Sequence, residues 1–226
     1  MPFRYLFLSP FPAGYLNPAV TLPSTTHRLR PVPFDRSGEE GLPEWCDRLP
    51  DRPTVYLTLG TVYNHRIDIV RTFLEGLRDE PINLILTVGR NQDPGQFGRQ
   101  PEHVHIARYM PQTLLFGRCN WAITHGGSGT VMAALTHGVP MVIVPIAADQ
   151  PDNAERCAGL GVAQVIPLAA LSAERAVGAV REVLSKAHYR QAAERLRAEI
   201  AELPGPEHGV ELLERLAEGK KPLLAR

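Results

Sequence analysis

From Pro53 onward, short runs of apolar and β-branched residues alternate with segments of helical period, and that alternation leaves few possible folds. "TVYLTLG" (54–60), "INLILTV" (82–88), "HVHIARY" (103–109), "WAIT" (121–124), "MVIVPI" (141–146) and "AQVIP" (163–167) read as strands. The more continuously apolar of these suit a sheet covered on both faces. Between them, "IDIVRTFLEGLRDE" puts Ile67, Val70, Leu74 and Leu77 on one helical face. "PQTLLFG" is a short helix, and "SGTVMAALTHG" is a helix stopped by glycine. "PDNAERCAGLG" has Pro151 near its start and Gly159 or Gly161 near its end. Further helices are expected at 172–185, 188–202 and 208–219. Strands alternating with helices predict an α/β domain built on a doubly wound parallel sheet. Ligands of such sheets sit beyond the carboxyl ends of the strands.

The first fifty residues differ in character. "RYLFLS" is a possible strand, and the proline-punctuated "PAGYLNPAVTLPSTTHRLRPVPF" reads as an extended linker, since each proline fixes φ and biases its predecessor away from helix. The opening "MPFRYLFLSPFP" lacks a small-residue cleavage site and makes a poor signal peptide. No apolar stretch reaches transmembrane length. The 24 Lys and Arg balance the 24 Asp and Glu, which gives no basic surface for nucleic acid. Cys46, Cys119 and Cys157 are widely spaced and odd in number. They predict reduced, mostly buried thiols in a cytoplasmic protein.

The polar turn "THGGSGT" (124–130) lies between a strand and a helix, at a carboxyl end. Free N–H groups and the positive end of the helix dipole make such a turn an anion site, with Ser128, Thr130 and His125 adding donors. The alternative is a plain N-cap whose glycines only bend the chain. A P-loop is absent because no Lys follows, and the dinucleotide fingerprint fails because Met132 stands where its third glycine belongs. The hydrolase elbow G-x-S-x-G comes nearer, with Ser128 as nucleophile but Thr130 in place of the last glycine. It also needs partners such as Asp149 or Asp152 with His188 or His208, and those histidines sit in polar patterns that suit solvent.

The longer stretch 124–166, with "TLGT" at 58–61, "YMPQ" at 109–112, "GVP" at 138–140 and "DQPDNA" at 149–154, resembles the donor-binding signature of nucleotide-sugar-dependent glycosyltransferases of the GT-B fold. It is most similar to bacterial enzymes that glycosylate macrolides and aromatic polyketides. The resemblance spans residues 30 to 217. It implies a Rossmann-like C-terminal half and a role for each matching residue. His125, Gly127, Ser128, Gly129 and Thr130 take the donor pyrophosphate. Tyr109, Met110 and Gln112 frame the base, Met110 through its backbone and an apolar face. Asp149 and Gln150 take sugar hydroxyls, and Gly60 and Thr61 approach the phosphate or sugar. Many uridine-donor relatives carry Glu where this chain has Ala133, so dTDP-sugars are favoured over UDP-sugars.

The resemblance implies further expectations. Residues 1–30 are the tail of an N-terminal domain and the linker, 31–203 the nucleotide-sugar domain, and 204–226 a helix packing back across the cleft. The acceptor pocket and general base belong to the N-terminal half, and His27 is a poor substitute. The chain is therefore expected to be inactive alone, either as a truncated piece or as a split subunit. The other readings are a non-catalytic nucleotide-binding subunit and the serine hydrolase. No Asp-x-Asp occurs, so no cofactor or catalytic metal is expected. His103 and His105 share a strand face without an evident third ligand and are expected at the surface.

Overall fold

A computed structural model of the chain describes residues 3–33, 35 and 40–225. Met1 and Pro2 of the opening run and Phe34 at the end of the expected linker lie outside the described residues. Six strands form one wholly parallel sheet: β3 (Thr54–Thr58), β4 (Asn83–Thr87), β5 (Val104–Ala107), β6 (Trp121–Thr124), β7 (Met141–Ile143) and β8 (Ala163–Val165). Their spatial order is β5-β4-β3-β6-β7-β8. The doubly wound α/β fold predicted above is the fold of the chain.

Burial follows position in the sheet. Every residue of β3, β4, β6 and β7 is buried, while the edge strands β5 and β8 are only partly so. That is why the inner runs carry no polar alternation: both faces are covered. Right-handed crossovers place α1 (Ile67–Gly76) on one face and α2 (Gln112–Phe116), α3 (Ser128–Thr136) and α4 (Gln150–Gly159) on the other. Two later helices close the layers, α5 (Ala173–Ser185) against α1 and α6 (Ala187–Ala201) against α3. The buried face of α1 is wider than the single stripe expected. Ile69 and Phe73 join Val70, Leu74 and Leu77, while Ile67 is only partly covered. A helix packed against both a sheet and α5 needs that broader face.

The expected linker holds more structure than extended chain. β1 (Phe7–Ser9) pairs in parallel with β2 (Thr26–Arg28), and a 3-10 turn covers Ala13–Tyr15. Thr26–Arg28 lies between Pro23 and Pro31, so its backbone is extended yet keeps its N–H donors. α7 (Pro206–Gly219) packs on this small sheet, with Gly209 against the side-chain ends of Leu29 and Leu8. The C-terminal residues return to the same place: Leu223 N–H donates to the Tyr5 carbonyl (2.8 Å) and Ala225 N–H to that of Ser24 (2.8 Å). The three cysteines are buried and unpaired. Among the described residues no helix is long and apolar enough to cross a membrane.

Phe73 is fully buried between α1 and the sheet. Phe73→Ala is expected to destabilise the chain by about 3–5 kcal/mol, checked by the urea midpoint.

Candidate nucleotide-diphosphate site

The chain runs β3 to β4 to β5 outward, then returns to β6 on the other side of β3. The crevice where such a sheet reverses lies beyond the ends of β3 and β6, and ligands of doubly wound folds sit there. The register pairs Thr58 with Thr124, which brings the turn after β3 beside the turn after β6. A cavity of about 760 Å³ opens at that place. Its wall includes Gly60, Thr61, Tyr109, Gln112, His125, Gly127, Ser128, Gly129, Thr130, Asp149 and Gln150. One site therefore gathers eleven of the twelve residues singled out from the sequence.

His125 is the centre of the arrangement. The residue is 8 % exposed, and its ring is wedged between two glycines. A Cβ on Gly60 would come within 2.7 Å of its Cε1, and one on Gly127 within 2.6 Å of its Nε2. Gly60 also has φ +70°, a backbone region that only glycine enters freely. Gly126 (φ +85°) is packed against Ile143. Burial holds the imidazole below its ordinary pKa of 6.5, with Asp149 partly opposing, so the ring is neutral at pH 7. The Thr124 hydroxyl lies 3.4 Å from its Nδ1.

Behind the ring, α3 starts without a side-chain cap and with no acid in its first turn. Among the described residues, the amides of Gly129 and Thr130 have no acceptor in the chain. A Cβ on Gly129 would meet nothing within 4 Å, so this turn faces open space rather than packing against protein. Unpaired N–H groups at a helix start attract an anion. The Asp149 carboxylate accepts from Asn153 Nδ2 (2.8 Å). Burial pushes that carboxyl upward, but Ser128 and Asn153 favour its charged form, outweigh burial and hold it below its usual value. Ala148, next to it on the cavity wall, has φ +57°, a strained setting of the kind found at binding sites.

Two expected roles need correction. Met110 is 3 % exposed and packs in the core, so its apolar face does not reach the cavity. Gln150 is 2 % exposed, and its Oε1 already accepts from the amides of Ile146 (2.8 Å) and Ala147 (3.0 Å). Its side-chain oxygen thus shapes the loop before α4, which leaves only its N–H groups for a ligand. His103 and His105, expected at the surface, are half-buried beside Trp45, whose ring stacks on His105 at 4.1 Å. They lie away from the cavity, and among the described residues no third ligand side chain joins them.

The hydrolase reading finds no support in the geometry. Neither His188 nor His208 lines the cavity, and among the described residues no imidazole bonds Ser128. His27 sits in β2 with Nε2 3.2 Å from the Leu223 carbonyl, also away from the cavity.

Some residues of the wall escaped sequence reasoning. Arg90 follows the end of β4, and its guanidinium lies 3.7 Å from the centroid of the Tyr109 ring. It is the one permanent cation among the described lining residues. Its position just past a strand end was the available signal. Pro33 and Asp35 reach in from the linker. The Asp35 carboxylate accepts from Thr113 N (2.7 Å) and Oγ1 (2.9 Å), and its carbonyl accepts from the Tyr109 hydroxyl. No local pattern announces such a tether.

A doubly wound α/β domain with an uncapped, glycine-rich helix start at its reversal point is a member of the Rossmann-like ligand-binding class. Residues 72–216 match the family described as erythromycin biosynthesis protein CIII-like, C-terminal domain, and the chain belongs to that family. The demethyllactenocin mycarosyltransferase of Streptomyces fradiae is 33 % identical over 165 residues, covering 73 % of this chain and 36 % of that protein. The crystal structure of the glycotransferase of kitacinnamycin superposes with a TM-score of 0.79 at 28 % identity, covering 92 % of this chain and 54 % of that one. Glycosyltransferase VinC in complex with dTDP gives 0.78 at 28 % identity, covering 92 % and 51 %. The chain thus spans well under two thirds of the length of these relatives.

Because His125 is neutral when folded and titrates near 6.5 when unfolded, the unfolded state binds the extra proton. Stability is expected to fall as pH drops below about 6.5, and His125→Gln to flatten part of that fall. Urea midpoints at about pH 7.5 and 5.5 test this; equal pH dependence in the two proteins would refute it.

Proposed function

We propose that the chain is the donor-binding half of an inverting glycosyltransferase that moves a sugar from a nucleoside diphosphate to an acceptor hydroxyl. The observation that carries this reading is the α3 N-terminus, whose free amides open into the cavity beside a neutral, buried His125. The leaving diphosphate gains charge as the sugar departs. Fixed N–H donors, hydroxyls and a helix dipole stabilise that charge without having to reorganise. His125 Nε2 serves as a donor to the pyrophosphate, Tyr109 and Gln112 frame the base with Arg90 behind Tyr109, and Asp149 accepts from sugar hydroxyls.

The base preference follows from Ala133, which lines the cavity with a methyl group. A methyl cannot bond a ribose 2′-hydroxyl, so the deoxyribose of a dTDP-sugar fits better than UDP. A dTDP complex of one structural relative supports this choice. No metal is invoked, since the cradle is made of N–H groups. Inversion requires a base that deprotonates the acceptor for a single in-line displacement. No cavity histidine suits that role, because His125 is placed at the leaving group. Base and acceptor pocket are assigned to a second, N-terminal half, and with them the activity of the whole protein, a cytoplasmic enzyme of natural-product assembly. We place the donor domain at 31–203, the tail of the other half at 1–30 and the returning helix at 204–226.

Calorimetric titration in EDTA is expected to show dTDP binding more tightly than UDP. His125→Ala should weaken dTDP by about tenfold, the worth of one good hydrogen bond. An anion beside the imidazole raises its pKa, so binding near pH 6 should take up protons, read as a dependence of heat on buffer. The chain alone is expected to transfer no sugar. Failure to bind either nucleotide, or turnover by the pure chain, would sink the corresponding claim.

A further inference from the structure

Asn153 lies one turn into α4 and does not line the donor cavity, yet its hydrogen bonds reach Asp149 on the cavity wall, the Gly126 carbonyl next to the lining Gly127, and Tyr15 behind them. Its Nδ2 donates to the Gly126 carbonyl (2.9 Å) and to Asp149 Oδ2 (2.8 Å). Its Oδ1 accepts from the hydroxyl of Tyr15 (3.2 Å). The two N–H groups and the carbonyl are thus all used.

Two consequences follow. The Gly126 carbonyl and the Gly127 N–H belong to one rigid peptide plane, so fixing the oxygen fixes where that N–H points. Gly126 has φ +85° and is packed on Ile143, so this plane has little freedom of its own. On the other side, one oxygen of Asp149 is tied to Asn153, which sets how the carboxylate faces Ser128 and the cavity.

Tyr15 decides which way round the amide sits. A flipped Asn153 would aim its oxygen at a carbonyl and a carboxylate, and its nitrogen at a phenol proton. Tyr15 is buried, and burial pushes its hydroxyl far above the usual range, so it remains a donor at any working pH. It is held in place from both sides. Arg156, one turn further along α4, donates Nη2 to the carbonyls of Gly14 (2.8 Å) and Leu16 (2.7 Å) and Nε to that of Tyr15. Phe11 stacks on the Tyr15 ring at 5.6 Å.

We propose that Asn153 is a positioning residue of the donor site: it registers the pyrophosphate loop against the sugar-facing carboxylate of Asp149, and Tyr15 orients its amide. The inference rests on the donor-site reading above.

The test uses the full chain with dTDP and dTDP-glucose as probes, on wild type, Asn153→Asp, Asn153→Leu and Tyr15→Phe. Asn153→Asp is the informative variant, because it keeps shape and the bond from Tyr15 but turns both donors into acceptors. Asn153→Asp and Asn153→Leu are expected to weaken dTDP about tenfold and dTDP-glucose by a further severalfold. Tyr15→Phe should repeat that pattern more weakly. A residue that only holds α4 in place would lower melting temperature without changing the ratio of the two affinities. Unchanged affinities in both Asn153 variants overturn the inference while leaving the donor site standing. Failure of wild type to bind either probe overturns the donor-site reading and this inference with it. Amide exchange of the unliganded chain gives a second readout. Gly127 to Thr130 should exchange faster in Asn153→Asp while β3 and β4 stay protected, and equal rates would count against the proposal.

Discussion

The parallel pairing of β3 with β6 is the constraint on which the rest depends. It is the only junction in the six-stranded sheet where chain order and spatial order reverse, and its register sets Thr58 beside Thr124. Two residues past the first lies Gly60, and one past the second lies His125. Their separation is too small for any side chain but hydrogen at Gly60. The tight seat of the imidazole is therefore a property of the sheet as much as of the loop. A shift of either strand by one residue would move each of its side chains to the other covered face of the sheet and part Gly60 from His125.

The chemistry that results is economical in charge. Arg90 is the one permanent cation among the described lining residues, while Asp35 and Asp149 also face the cavity. A diphosphate entering this cavity, as proposed above, would be met mainly by dipoles: helix N–H groups, hydroxyls and a neutral imidazole. Dipoles fixed by folding respond strongly to charge that moves towards them and need no counterion to leave. In the free chain the Asp149 carboxylate shares the cavity wall with Ser128, which favours its charged form.

Much of this was legible in the sequence. Strand and helix positions from Pro53 onward follow from apolar runs and glycine stops, because each inner strand is buried on both faces. The glycine-rich turn and the ordered motifs around it located the cavity, since short strands leave their carboxyl-end turns little room to be elsewhere. What was not legible depends on distant pairing. β2 is three residues long and exists only because β1 lies beside it. Asp35 closes the Tyr109 end of the cavity through bonds to a helix 78 positions away. Gln150 looked like a ligand for hydroxyls because amides suit them, yet its oxygen is consumed by two loop amides that no local pattern reveals. Met110 sits in a motif that names the neighbourhood correctly, while its side chain turns to the core.

The grip of Arg156 on the carbonyls of residues 14–16 also bears on where this protein can be cut and rejoined. Recombining halves of related transferases at the proline-rich linker treats everything before it as belonging to the other half. Here the segment around Tyr15 is held by α4, although it lies in the first part of that linker in sequence. A chimera joined near residue 30 would replace the piece that α4 was shaped to hold and inherit a mismatched seam behind an otherwise intact cavity. A junction upstream of Phe11 would carry the native seam with the six-stranded sheet.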